Sequence, residues 1–232
     1  MKKSILFIFT ACFLFTTSCS DFLDEEHKTK YSSEYVFGTP EGLKLAVNAL
    51  YALQRYYAND TENATIFALE RGTDLAVTNG GTGNFYGIYD PNYLKPSASQ
   101  VGFMWRTMYQ IIGKANEIIA AAEDLEDTPS LRATVSEAKC FRAQSYFLLY
   151  RTFDRIWLNI QPTTAENVND PRDFHAASEK EVFDLIYEDL EYAITNLDWV
   201  SDEAGRFTQA AARHMKAKAA LWLKDLTLIH IS

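Results

Sequence analysis

Four groups of residues in this chain have types and spacings that could do chemistry. Cys19 follows a basic head (Lys2 and Lys3), an apolar run from Ile5 to Phe15 and the small polar residues Thr16, Thr17 and Ser18, and it precedes the acidic Asp21, Asp24, Glu25 and Glu26. That order is the layout of a bacterial lipoprotein leader, in which a peptidase cuts before the cysteine and the thiol takes lipid. The apolar run is shorter than the ~20 residues a spanning helix needs. Glu70 and Asp74 form a carboxylate pair that could serve as acid and nucleophile across a glycosidic bond, or alternatively as a cap or a salt bridge. Asn167, Asn169, Asp170 and Asp173 offer the oxygen ligands that Ca²⁺ favours, or else make a solvated loop. Lastly, Asn79 to Tyr93 combines turn formers with Phe85, Tyr86, Tyr89 and Tyr93 and shows no helical period. A loop of that length is uncommon in a compact domain unless it has a job.

Catalytic signatures are missing. The chain has no His-Glu-x-x-His, no Gly-x-Ser-x-Gly, no phosphate loop ending in Gly-Lys-Ser/Thr and no pair of cysteines at metal-ligand spacing, so no enzyme activity, metal or cofactor is expected. His27, His175 and His214 lack ligand spacing, and His214 is expected to pack within the last helix. Losing Lys2 and Lys3 with the leader, and no acid, takes the formal charge from -9 to -11. Nucleic acid and anionic headgroups would both be repelled. Cys12 leaves with the leader and Cys19 takes lipid, so Cys140 stands alone, a buried small hydrophobe with no disulfide partner. Each buried lipid methylene contributes ~0.8 kcal/mol, enough for the several chains of a bacterial lipoprotein to anchor the protein firmly.

The elements that must position these groups are helices. With 47% hydrophobic and 14% aromatic residues, the chain is far from disorder and suits one domain with a substantial core. Residues 1–18 read as leader and 19–33 as tether. From Thr39, a cap followed by Pro40, the residues Leu43, Ala46, Val47, Leu50, Leu53 and Tyr57 share one face. A second helix is expected over 102–123 on the stripe Trp105, Met108, Ile111, Ile112, Ala115, Ile118, Ile119 and Ala122. A third, opened by Pro129 and Ser130, should run from Leu131 to about Trp157 and, being apolar on more than one side, sit between neighbours. Ser178 and Glu181 form a capping box for a fourth helix, and Thr208 caps a fifth through Ala212, Met215, Ala219 and Trp222. Residues 102–157 and 178–226 each pair a helix with an alanine-rich partner, which predicts an all-α architecture of tetratricopeptide-like hairpins stacked side by side, with long irregular loops.

The segment Glu137-Ala138-Lys139-Cys140-Phe141-Arg142-Ala143-Gln144-Ser145-Tyr146-Phe147-Leu148-Leu149 resembles the E-A-[KR]-F-x-R-A-x-x-Y-F-x-L helix of SusD/RagB proteins, the surface nutrient-binding lipoproteins of the Bacteroidetes. Four further pieces resemble the family in its own order. They are Cys19 to Asp24 at the lipidated start, Trp105 to Ile119 in the W-x-x-x-Y-x-x-I-x-x-A-N-x-x-I helix, Glu188-Asp189-Leu190 with Ala193 and Leu197, and Gly205-Arg206-Phe207-Thr208-Gln209 with Ala211. The match spans Cys19 to about Leu226, so residues 34–226 correspond to the helical N-terminal part of the family. Members run to more than twice this length, and the chain is expected to be the front half of its protein, with 227–232 a non-native tail. After Leu149 the chain departs from the pattern: Asp154-Arg155-Ile156-Trp157-Leu158-Asn159 stands where relatives carry Gly-x-[IVL]-Pro-Leu.

The resemblance implies a lipoprotein of the outer membrane, anchored through Cys19 and facing the cell exterior, that captures a glycan or a peptide and delivers it to a SusC-like TonB-dependent transporter. Its ligand contacts would be Asn84, Phe85, Tyr86, Tyr89, Asp90, Asn92 and Tyr93, because sugar rings lay their C–H faces on aromatic rings while their hydroxyls need amide or carboxylate partners. Those residues could instead pack on the helices or on the transporter. A tetratricopeptide-like adaptor that binds a protein and no nutrient remains the alternative.

Overall fold

The computed structural model describes residues 31–59, 95, 99–153, 155–171 and 174–225. The chain divides into two units, Met1–Ser32 and Ser33–Ser232, and the described helices belong to the second. They are α1 (Ser33–Gly38), α2 (Pro40–Asn59), α3 (Ser99–Ala122), α4 (Pro129–Thr152), α5 (Glu179–Asn196) and α6 (Gln209–Trp222). Among the described residues there is no strand, and none of these helices is long and apolar enough to cross a membrane.

The helix starts follow their caps. Thr39 Oγ1 accepts from the Gly42 amide at 3.0 Å, with Pro40 at the first helical position. Thr128 caps α4 through the Leu131 amide, and Thr208 caps α6 through Ala211. Ser178 and Glu181 close both halves of the capping box, the Ser178 amide donating to the Glu181 carboxylate at 2.8 Å. These bonds satisfy amides that a helix leaves without partners at its first turn. Gly42 has a different reason to be there: a Cβ at this position would lie 2.2 Å from the Tyr35 carbonyl oxygen. Only glycine lets the end of α1 lie against the first turn of α2.

Consecutive helices pack on one another, and α4 also touches α2 and α6. The α3–α4 and α5–α6 hairpins expected from the sequence are present, joined by an extensive α4–α5 contact. As its pattern required, α4 is buried around most of its circumference, with Leu131, Val135, Ala138, Phe141, Tyr146 and Leu149 all out of water. Alanines keep the helices close: Ala138, Ala193, Ala212 and Ala219 are fully buried. Phe141, Tyr146 and Phe183 fill the volume between them, each aliphatic or aromatic side chain of this kind contributing ~1.5–3 kcal/mol on burial. Cys140 is buried and unpaired, as expected, and its surroundings push its thiol well up, through burial first and then the negative charges of Asp189 and Glu137.

Two expectations need correcting. Helix α4 stops at Thr152 rather than near Trp157, because Phe153 turns extended (φ -116°, ψ 137°) and the backbone beyond it is captured by tyrosine hydroxyls instead of by helical carbonyls. His214, expected to pack, is exposed on α6. The last helix ends at Trp222, as its sequence placed it, and is capped at Leu223: the Asp225 amide donates to the Ala220 carbonyl and the Lys224 amide to Leu221, with Lys224 at φ 59°. That is a Schellman closure with lysine in the left-handed position that glycine usually takes.

Candidate functional site

The residues expected to hold ligand, Asn84, Phe85, Tyr86, Tyr89, Asp90, Asn92 and Tyr93, lie outside the described residues, as do the lipidation residue Cys19, the Glu70 and Asp74 pair, and Asp173. What the structure does bring together is a polar scaffold made of the most recognisable sequence positions.

At its centre is Asp189 of α5, fully buried. Its carboxylate accepts from Arg142 Nε and Nη2 and from Lys139 Nζ, each at 2.8 Å. Burial alone would lower the Arg142 pKa, but the hydrogen bonds and charge of Asp189 reverse that and hold the guanidinium firmly charged. A buried carboxylate is tolerable here because two cations neutralise it and its oxygens are hydrogen-bonded.

The network reaches outward from Arg142. Its Nη1 donates to Asn116 Oδ1 at 2.8 Å, which turns the Asn116 amide nitrogen toward the Asn159 carbonyl, 2.7 Å away. Two tyrosines complete the grip. The Tyr146 hydroxyl accepts from the Asn159 amide at 2.8 Å and donates to the Asn159 carbonyl at 2.9 Å. The Tyr109 hydroxyl does the same at Trp157, at 2.9 and 2.8 Å. Burial raises the pKa of both phenols, so they stay neutral and able to donate. The extended segment 157–159 is thus held at alternate residues, as a neighbouring strand would hold it, by side chains of α3 and α4.

This segment forms one wall of an open cavity of about 410 Å³ within the loop that joins α4 to α5, lined among others by Trp157, Gln161, Asn167, Asp170 and His175. Asn167 shapes the loop by accepting from the Thr164 amide and donating to the Pro162 carbonyl. The Ala177 amide donates to the Ile156 carbonyl at 2.9 Å and closes the loop at its neck. Asn167 is therefore spent on loop closure, and among the described residues no cluster of acidic, histidine or cysteine side chains could hold a metal ion.

A second polar knot ties α2 to α4 and to the approach to α6. The Tyr51 hydroxyl donates to the Glu137 carboxylate and accepts from the Phe207 amide at 2.7 Å, while Arg206 bridges Glu137 and Glu203 at 3.2 and 3.0 Å. The Tyr51, Phe141 and Phe207 rings pack together around it. Tyr51 escaped the sequence reading because it sits beside the apolar face of α2 rather than on it. Its only signal was an aromatic next to Leu50.

A tetratricopeptide-like helical scaffold whose core polar groups brace protruding loops is the class of protein this structure defines. Comparison with known proteins makes it specific. A family model, SusD-like_3, described as "Starch-binding associating with outer membrane", matches residues 21–221, and the chain belongs to that SusD-like family. It is 28% identical to a SusD-like protein of Bacteroides ovatus over 234 residues, covering 95% of this chain and 39% of the relative. It is also 28% identical to SusD-like protein P38 of Formosa agariphila, covering 97% of this chain and 44% of that protein. Among solved structures, a laminarin-binding SusD-like protein superposes with a TM-score of 0.70 at 26% identity, over 82% of this chain and 41% of the other. A SusD-like carbohydrate-binding protein of Bacteroides fragilis shares the fold with a TM-score of 0.67 at 19% identity. The chain spans about two fifths of the length of the curated relatives it matches.

Proposed function

We propose that this chain is the helical part of a surface glycan-capture lipoprotein, anchored by lipid at Cys19 to the outer membrane, exposed to the cell exterior, and handing its cargo to a SusC-like TonB-dependent transporter. The observation that carries the reading is the family match over residues 21–221, joined to the likeness to a protein whose name records laminarin binding. The chemistry is binding without bond cleavage. Aromatic rings offer faces to sugar C–H groups, amides and carboxylates meet the hydroxyls, and the network of Asp189, Arg142 and Asn116 supplies rigidity rather than an acid or a nucleophile. The acidic balance of -9 favours neutral glycans over sulfated or uronic ones.

The test is calorimetric titration of the chain, lacking its leader, with laminarin and a panel of neutral polysaccharides, in the wild type and in a variant with Tyr86, Tyr89 and Tyr93 all replaced by Ala. Saturable binding that the triple replacement removes is the expected result. Wild-type protein that ignores every glycan yet captures a protein partner would overturn the reading in favour of an adaptor. Labelling with a clickable fatty acid should mark the wild type in cells and spare Cys19→Ser.

A further inference from the structure

The described residues of the stretch between α4 and α5 carry exposed apolar side chains beside amides. Phe174 is 69% exposed, and its ring lies 4.8 Å from that of Trp157. Behind Trp157 stands Tyr109, ring centroids 6.4 Å apart and nearly parallel at 24°; behind Tyr109 stands Trp105 at 4.8 Å, and behind that Phe153 at 5.0 Å. A continuous file of rings therefore runs from inside the α3–α4 hairpin to a ring face in water. The Tyr109 hydroxyl fixes the backbone of Trp157 on both its amide and its carbonyl.

We propose that the described part of the loop between α4 and α5, residues 155–171 and 174–177, forms a saccharide site in its own right, with Trp157 in the cavity wall, the exposed Phe174 ring beside it extending the platform, and Gln161, Asp170 and His175 at the rim. The chemistry selects the ligand class. A pyranose stacks one apolar face on an aromatic ring and presents equatorial hydroxyls sideways to amide, carboxylate and imidazole groups, the kinds of side chain that line this cavity. About 410 Å³ of open cavity holds one or two sugar units. Preorganisation completes the case. Ile156 and Ala177 close the neck and Asn167 closes the turn over residues 162–167, so that part of the rim is set before a ligand settles.

The experiment is a fluorescence titration of the chain with laminarihexaose, cellohexaose and maltoheptaose, and with a mixed peptide digest, following tryptophan emission. Variants are Phe174→Ala, Phe174→Tyr and the triple Ala replacement of Tyr86, Tyr89 and Tyr93. Phe174 is a surface residue, so circular dichroism should match the wild type in both of its variants. Phe174→Ala should weaken binding of at least one neutral glucan about tenfold, Phe174→Tyr should restore it, and the triple variant should keep a component that depends on Phe174. Unchanged affinity in Phe174→Ala, a response to peptides alone, or no response to any glucan overturns the site. Loss in the triple variant with none in Phe174→Ala overturns this site and leaves the 84–93 reading standing; the converse result does the opposite.

Discussion

Arg142 and Asp189 face each other across the α4–α5 interface in two hydrogen bonds of 2.8 Å, with Asp189 wholly out of water and Arg142 almost so. Removing the carboxylate leaves Arg142 buried without its partner and Lys139 with only the largely exposed Glu188, 3.9 Å away. Asp189→Ala should therefore lose ~3–5 kcal/mol in urea unfolding. The paired change Asp189→Leu with Arg142→Met should lose much less than the sum of the single changes, since it removes the charges together.

Tyr109 and Tyr146 make an unusual demand on one atom each, a phenol oxygen that donates to a carbonyl and accepts from the amide of the same residue. Phenylalanine at either position keeps the ring and deletes both bonds. Tyr146→Phe should cost ~1–3 kcal/mol because the Asn159 amide loses its partner. Hydrogen exchange at the Trp157 and Asn159 amides is the direct readout: each should speed up in its own tyrosine variant, with the α5 core amides unchanged.

These two relationships explain what was readable in the sequence. Glu137, Lys139, Arg142 and Tyr146 stood out as pattern positions on one helix, Asp189 on another and Arg206 in the approach to α6, yet nothing local says that Arg142 meets Asp189, 47 residues on, or that Glu137 meets Arg206, 69 residues on. Helical periods and caps are local, which is why four helix starts were legible, while α3, expected from residue 102 on its stripe alone, begins at Ser99. Partnerships across helices are set by packing and were not. Short α1 went unread because six residues cannot show a period. The extent of α4 was overread because Ile156 and Trp157 continue its apolar run, while the bonds that hold Trp157 and Asn159 in extended backbone come from Tyr109 and Tyr146. The same blind spot hid the Trp157 and Phe174 platform, whose two rings are separated by 17 positions of loop.

Glu181 gives a pH dependence of known sign. Its hydrogen bonds from the Ser178 hydroxyl and amide hold its carboxyl below the usual carboxylate range. A depressed folded value means stability that is present above the ordinary value of 4.5 and lost as pH falls through the folded one. The melting-temperature gap between wild type and Glu181→Ala should be largest near neutrality and shrink on going from about pH 6 to about pH 3. A gap that widens on acidification would show that the capping box is not the source.

Gly42 tests the α1–α2 corner. A methyl group there would sit 2.2 Å from Tyr35 O and 2.6 Å from Val36 Cα, both backbone atoms that no rotamer can move. Gly42→Ala should therefore detach α1 rather than adjust it. Limited proteolysis should cut near Tyr35 faster in the variant, while cleavage within α4 and α5 stays at the wild-type rate.

Lys224 makes the opposite prediction, a gain. It holds φ at 59° to close α6, a conformation in which a Cβ is strained and glycine is not. Its Schellman bonds run through the backbone amides of Lys224 and Asp225, so they survive loss of the side chain. Against the relieved strain stands the extra freedom glycine gives the unfolded chain, which at left-handed positions is the smaller effect. Lys224→Gly should raise unfolding stability by up to ~1 kcal/mol, and Lys224→Val, β-branched and least suited to positive φ, should lower it by a similar amount. Equal midpoints for the glycine and valine variants in urea would mean that the helix end does not hold this closure in solution.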